Sequence, residues 1–401
     1  MADRARGVRL RSGDRGWGWA GRFLLALLAW SSVAGPSGAR TLEEALISTF
    51  PGQLSEDARG LATVFSRSVA ASFPITGASA AYVYRFDPAT DSFQRLNVPL
   101  GPVFSERADP VGSHKLSLAV NYALVQYDSI DGRDLHTLES NDPRTSATHI
   151  AICAGPTLCE PVLAKVRLDL EAQIVTFSAT YGITQNLDVN LLVPVVRTFL
   201  RSSATFTGPD PRLPPSGTPL AFHFAATASE ASTGVGDLLF RLKYQFERAA
   251  VADLGAGFIL SVPSGDRADF HGTGDTLTGV ALYASHTYRE RIEPHVNAAF
   301  VLDADKFDRS SARYSAGADV RLLDWLTLNA DFLGRSDVAR PDSIDGPVFV
   351  QIERADVLQF STGLKAALPA RIAVFFNALL PLNMEGLRSD RVLVFGIERT
   401  F

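Results

Sequence analysis

Residues able to do chemistry are sparse in this chain, and they fall into four groups. Cys153 and Cys159 are the only two cysteines among 401 residues, with five residues between them in ICAGPTLCEP. In an oxidising compartment that spacing suits a disulfide that stiffens a loop. A metal pair is the alternative, to which His149 alone adds a nearby ligand. GVGD (234–237) and GTGD (272–275) match a short motif of intramembrane aspartyl proteases. Those enzymes need apposed transmembrane helices, so Gly and Asp here are expected to start or end strands through positive φ and local side-chain bonds. DSIDGRD (128–134) crowds carboxylates that could hold Ca²⁺, but it lacks the bidentate Glu and regular spacing of a calcium loop. His295 shares a strand face with Asn297, yet no serine stands beside them to serve as the nucleophile of a hydrolase. These residues assign no catalytic, cofactor or metal site.

A larger polar set recurs at alternate positions. It comprises Asp188, Asn190, Asp237, Arg241, Lys243, Asp253, His295, Asn297, Asp319, Arg321, Asp331, Lys365 and Glu398. Charges of both signs on one strand face can pair across strands and stiffen an interior. They can equally line a narrow aqueous path that selects solutes.

The elements that must position them are twelve alternating runs. These are 115–126, 166–180, 187–199, 236–247, 251–262, 276–288, 292–303, 313–323, 325–334, 356–368, 371–382 and 391–401. Soluble strands average about 5–6 residues, whereas a tilted membrane strand takes about 9–11. Leu238, Phe240, Leu242, Tyr244 and Phe246 lie on one face of their run, opposite Arg241, Lys243 and Gln245. Connection lengths also alternate: long at 127–165, 200–235, 263–275 and 335–355, short near 184–186, 248–250, 289–291 and 369–370. Outer-membrane barrels have that rhythm, with short periplasmic turns and longer external loops. The expected fold is all-β, a transmembrane antiparallel up-and-down barrel of twelve strands over 113–401.

Residues 1–39 read as a cleaved signal peptide: an arginine-rich start, FLLALLAW (23–30), then Ser37-Gly38-Ala39. Past Arg40 no run of 18 apolar residues occurs, so an exported chain is expected to cross a membrane by strands or to stay in solution. Residues 40–112 form a periplasmic or plug region. It holds a helix started by Ser55-Glu56-Asp57, with Leu61, Val64, Phe65 and Val69 at helical spacing, and a hairpin of SAAYVYRF and SFQRLNV. Counting that hairpin into the barrel would give fourteen strands. The last run, RVLVFGIERTF, places Phe395, Ile397, Arg399 and Phe401 on one face. It resembles the outer-membrane β-signal that the barrel-assembly machinery reads. Lys+Arg 38 against Asp+Glu 43 leaves no basic surface for nucleic acid.

Four stretches resemble a family of outer-membrane proteins named for the meta-cleavage pathway of phenol degradation. They are YGITQNLDVNLLVPVV (181–196), GVGDLLFRLKYQF (234–246), SVPSGD with GTGD (261–275), and YSAGADVRLLDWLTLNADFLG (314–334). The resemblance implies an outer-membrane channel in a Gram-negative envelope, without cofactor, whose partners are lipid, the assembly machinery and small solutes, aromatic or other hydrophobic molecules among them. A non-conducting structural or surface-binding barrel is the alternative, and a barrel lipid hydrolase the third reading.

Overall fold

Alternation of apolar and polar side chains builds strands with two unlike faces, and here the strands close on themselves. The structure, a computed structural model, describes residues 40–139, 151–153, 159–209, 221–248, 251–339 and 356–401. The signal peptide expected over 1–39 lies outside the described residues.

The strands are β1 (Leu116–Tyr127), β2 (Leu163–Gly182), β3 (Leu187–Pro209) and the interrupted β4 (Ala221–Val235 with Leu238–Arg248). Then follow β5 (Asp253–Val262), β6 (Leu277–Ser285), β7 (Ile292–Asp303), β8 (Ser311–Leu323), β9 (Leu326–Asp337), β10 (Asp356–Leu368), β11 (Ile372–Pro381) and β12 (Val392–Thr400). Each pairs antiparallel with its sequence neighbours, and β12 closes the ring on β1 from Leu393↔Leu124 to Thr400↔Ser117. The result is a closed twelve-strand barrel. The fourteen-strand alternative fails because Tyr84–Asp87 and Ser92–Arg95 pair only with each other, as a separate two-stranded sheet.

The outward faces form an apolar band. Phe240, Leu242, Tyr244, Phe246, Val280, Leu282, Val296, Phe332, Phe395 and Ile397 are all exposed on it. In water each such side chain would forgo about 1.5–3 kcal/mol of burial, so the band is the surface that meets lipid. Arg399 interrupts it beside Phe401, whose ring lies 4.6 Å from the guanidinium carbon.

One expected loop is largely strand. Residues 200–235 were expected as an external connection, but β3 runs on to Pro209 and β4 starts at Ala221, paired from Val195↔Val235 to Pro209↔Ala221. This ladder is rich in Ala, Ser and Thr. It projects past the apolar band, where no lipid demands an apolar outer face, so its sequence lacks the pattern that marks a membrane strand.

The ladder breaks at Gly236, whose N–H donates to the Pro194 carbonyl at 2.8 Å. A Cβ there would meet Pro194 Cγ at 2.9 Å and the His271 carbonyl oxygen at 3.0 Å, so glycine permits the close approach.

The N-terminal region starts at the long-loop end. Helix α1 (Leu42–Ile47) opens with a capping box of Thr41 and Glu44. Helix α2 (Ser55–Ser72) buries Ala58, Leu61, Phe65 and Val69 along one face. It follows a 3₁₀ turn, Gly52–Leu54, and Leu54 supplies no side-chain cap, so the expected Ser55-Glu56-Asp57 start is packed rather than capped. Phe50 packs on Phe206 of β3 with ring centroids 5.6 Å apart. From Phe73 the chain descends inside the barrel, turns in the small hairpin at the short-turn end, re-enters, and leaves at Gly112 to begin β1.

Candidate functional site: the filled lumen

Inward faces of the strands supply the polar residues, and residues 76–112 supply their partners. Glu106 is the centre of the contact. It accepts from Arg241 at 3.2 Å, Lys243 at 3.3 Å and Ser79 Oγ at 2.7 Å. The Ala78 N–H also donates to it. Arg107, fully buried, faces the equally buried Glu293 at 3.4 Å and donates to the Pro99 carbonyl at 3.0 Å. Asn297 fixes the backbone of Glu106 twice, accepting from its N–H at 2.7 Å and donating to its carbonyl at 2.8 Å. Taking these charges out of water is tolerable only because each finds a partner.

His295 sits below this contact. Its Nε2 lies 2.6 Å from Asp331 Oδ1 and its Nδ1 3.8 Å from Asp319 Oδ2, all three side chains being buried. The same Asp331 oxygen accepts from Ser105 Oγ at 2.8 Å. The imidazole therefore faces carboxylates, and the serine donates to an aspartate rather than to a base. That geometry orients groups and does not activate a nucleophile.

At the opposite wall Glu398 accepts from the Ala81 N–H at 2.6 Å and Ser117 Oγ at 2.7 Å, with Lys365 at 3.4 Å. Asp188 accepts from the Val111 N–H at 2.8 Å. Asn190 donates to Ser178 and Thr180, both at 2.9 Å, and Thr180 in turn donates to the Ala78 carbonyl.

Of the polar set named from sequence, Asp188, Asn190, Arg241, Lys243, His295, Asn297, Asp319, Asp331, Lys365 and Glu398 thus face the interior together. Asp253 and Arg321 stand at the short-turn rim, Asp253 3.4 Å from His286 and Arg321 bonded to Asn97. Asp237 departs from the set. Its carboxylate accepts from the Gly265 N–H at 3.1 Å and from both the N–H and Oγ of Thr273 at 2.8 Å. It pins the 263–276 loop, so the two Gly-x-Gly-Asp motifs interlock instead of doing acid chemistry.

That loop is built tightly. A Cβ on Gly234 would meet the His271 ring at 2.6 Å. His271 is buried there, and burial holds its imidazole below the ordinary value of 6.5. Nearby Asp275, Asp303 and Asp305 converge. Burial raises the Asp275 carboxyl and Arg67 at 2.5 Å opposes that rise, while Arg309 lies 3.4 Å from its other oxygen. The pair of arginines already serves the charge a cation would.

DSIDGRD forms a tight turn, with Asp131 at φ 47° and Gly132 at φ 74° between paired Ile130 and Arg133. Its acids accept from backbone N–H groups: Asp128 from Asp390 and Asp131 from Gly386, both in the distant loop before β12, and Asp134 from the neighbouring His136. Cys153 and Cys159 are direct backbone partners in a short antiparallel ladder. Their side chains, and His149, lie outside the described residues.

Glu106, Arg107, Ser105 and Glu293 were not singled out from sequence. The available signal was GPVFSERADPVG (101–112), a non-periodic stretch whose Glu-Arg pair sits between apolar, Gly and Pro residues. Isolated opposite charges in such a setting fit a buried segment that must be matched by a polar wall.

The family model described as "Putative MetA-pathway of phenol degradation" matches residues 140–377, more than half of the chain. No curated protein sequence matches. Among solved structures, the chain is similar to an outer membrane channel from Pseudomonas putida F1 at 14% identity, covering 74% of this chain and 99% of that one, TM-score 0.47. It is also similar to the NanC porin at 8% identity, covering 70% and 98%, TM-score 0.38. A third is the Ralstonia pickettii toluene transporter TbuX at 12% identity, covering 72% and 90%, TM-score 0.34.

Proposed function

We propose, from the premise that this chain belongs to the family described as a MetA-pathway of phenol degradation, that it is an outer-membrane channel. It passes small solutes, aromatic molecules among them, by passive diffusion. The observation that carries this reading is the contrast between faces: an apolar band outside, and a charged, hydrogen-bonding interior filled by a segment of the chain itself. A barrel built only as a scaffold has no need of buried charge, which apolar packing would replace at equal or lower cost. A segment held by polar contacts can leave when water replaces them.

In this reading the short turns face the periplasm and the long loops the cell exterior. Residues 1–39 direct export, Cys153 and Cys159 form a disulfide in an external loop, and Phe395, Ile397 and Phe401 are read by the assembly machinery. Deleting Phe401 then lowers insertion in cells far more than it lowers the stability of refolded barrel.

The test is a reversible lock. Ser105 Oγ in the plug lies 3.0 Å from Ser315 Oγ in the wall. Ser105→Cys with Ser315→Cys, in a chain with Cys153 and Cys159 replaced by Ser, ties plug to barrel when oxidised. Conductance in planar bilayers that vanishes on oxidation and returns on reduction supports a channel whose plug moves. Silence in both states and in the wild type sinks it, and leaves the non-conducting barrel.

A further inference from the structure

Above the Glu106 contact, toward the long-loop end, the lumen wall carries a pair of arginines that the plug does not neutralise. Arg313 on β8 is the direct cross-strand partner of Arg335 on β9, and both face inward. Like charges placed opposite each other weaken a sheet. Arg335 has an ion pair with Asp337 at 3.3 Å and donates to the Ala71 carbonyl at the end of α2 at 3.2 Å. Arg313 has neither: among the described residues no carboxylate pairs with it, and its Nε is buried without a hydrogen-bond partner. Its electrostatic neighbours are Arg335, Asp337 and Arg241. Arg241 gives no relief, because it shares the single carboxylate of Glu106 with Lys243. Of Arg241, Lys243, Arg313 and Arg335, Arg313 alone has no carboxylate within ion-pair distance among the described residues.

The wall beside the guanidiniums is apolar and reachable. Ala299, the other cross-strand partner of Arg313, is only partly buried, as is Leu333, two residues before Arg335 on the same strand face. A planar, fork-shaped cation next to a partly open apolar surface recognises a ligand with a carboxylate at one end and an apolar body at the other.

We propose that Arg313 and Arg335 form a lumenal binding site for small aromatic carboxylates. The site is a stage on the route through the channel, and in that sense it rests on the channel reading. Two bonds from guanidinium to carboxylate hold the anion, while the ring lies against Ala299 and Leu333.

The test titrates the detergent-purified full chain with benzoate and, as the uncharged control, benzyl alcohol. Wild type binds benzoate, KCl weakens that binding, and Arg313→Gln weakens it by about tenfold or more, the loss expected for one charged hydrogen-bond pair. Arg313→Lys, which keeps the charge, recovers part of the affinity, and benzyl alcohol is indifferent to all three changes. Absent benzoate binding in wild type, binding unmoved by KCl, or equal binding by Arg313→Gln each overturns the site, whether or not the barrel conducts. In bilayers across a KCl gradient, the wild-type reversal potential lies on the chloride side and Arg313→Gln moves it toward neutrality; a wild-type potential on the potassium side also overturns the proposal. Benzoate binding without any conductance removes the channel and keeps the site.

Discussion

Glu106 shows how much one side chain decides here. It answers Arg241 and Lys243 at once, so its removal takes the ion-pair partner from two buried cations and leaves only Asp188, the cross-strand neighbour of Lys243, nearby. Breaking a buried ion pair from one side costs about 3–5 kcal/mol. Glu106→Ala is therefore expected to loosen residues 76–112 while the barrel stays folded. Hydrogen exchange would read this as faster exchange confined to that segment, and unchanged protection there would refute it.

A second residue carries a pH dependence. Burial depresses the His271 imidazole, so its contribution to loop docking is present above the unfolded value of 6.5 and is lost as pH falls through the lower folded value. Protection of residues 263–276 should decline as pH falls from 6.5 through that lower value and then level off, and His271→Gln should flatten the decline.

At the scale of elements, β4 is two strands in one. Its lower half, Leu238–Arg248, lies in the ring between β3 and β5, and its upper half, Ala221–Val235, pairs with β3 alone. The joint depends on Gly236 sitting against Pro194 and the His271 carbonyl. Gly236→Ala overpacks that joint, a change that costs about 1–3 kcal/mol. Thermal unfolding in detergent should fall accordingly, and a stability equal to wild type would mean that Pro194 and the loop can shift aside.

The projecting ladder and the turn after α1 meet at the Phe50–Phe206 contact. Phe206→Ala, at a fully buried site, should cost about 3–5 kcal/mol locally. Proteolysis of residues 41–50 should accelerate while heat-modifiable migration of the barrel persists; loss of both would mean that cap and barrel fold as one unit.

The whole molecule is an inversion of a soluble protein, apolar outside and polar within, and that inversion sets the cost of a charge by its face. Val280 is 63% exposed on the apolar band. Val280→Arg should destabilise the barrel by about 2–4 kcal/mol in phospholipid vesicles if it lies near the mid-plane. Urea unfolding of the vesicle-inserted protein measures this, and a neutral result would place the band elsewhere.

What the sequence determined by itself was the ring. Strict period-two alternation over runs such as 236–247 and 313–323 fixes which side chains share a face, and alternating connection lengths fix the up-and-down order. Charge on one face and large apolar residues on the other leave a barrel in lipid as the solution with no open edge. The inward position of Arg241, His295, Asp319 and Glu398 follows from register alone. Tertiary structure decided what those residues touch. Nothing local in residues 76–112 says that they fold into the lumen, because their backbone and charges are satisfied by strands as far away in sequence as Asn297, Asn329 and Glu398. The same holds for Asp237, whose parity matches the lumen face but whose position at the Gly236 break turns it toward Thr273. Pattern encodes a face, whereas partners across the barrel depend on closure, and closure is a property of all twelve strands together.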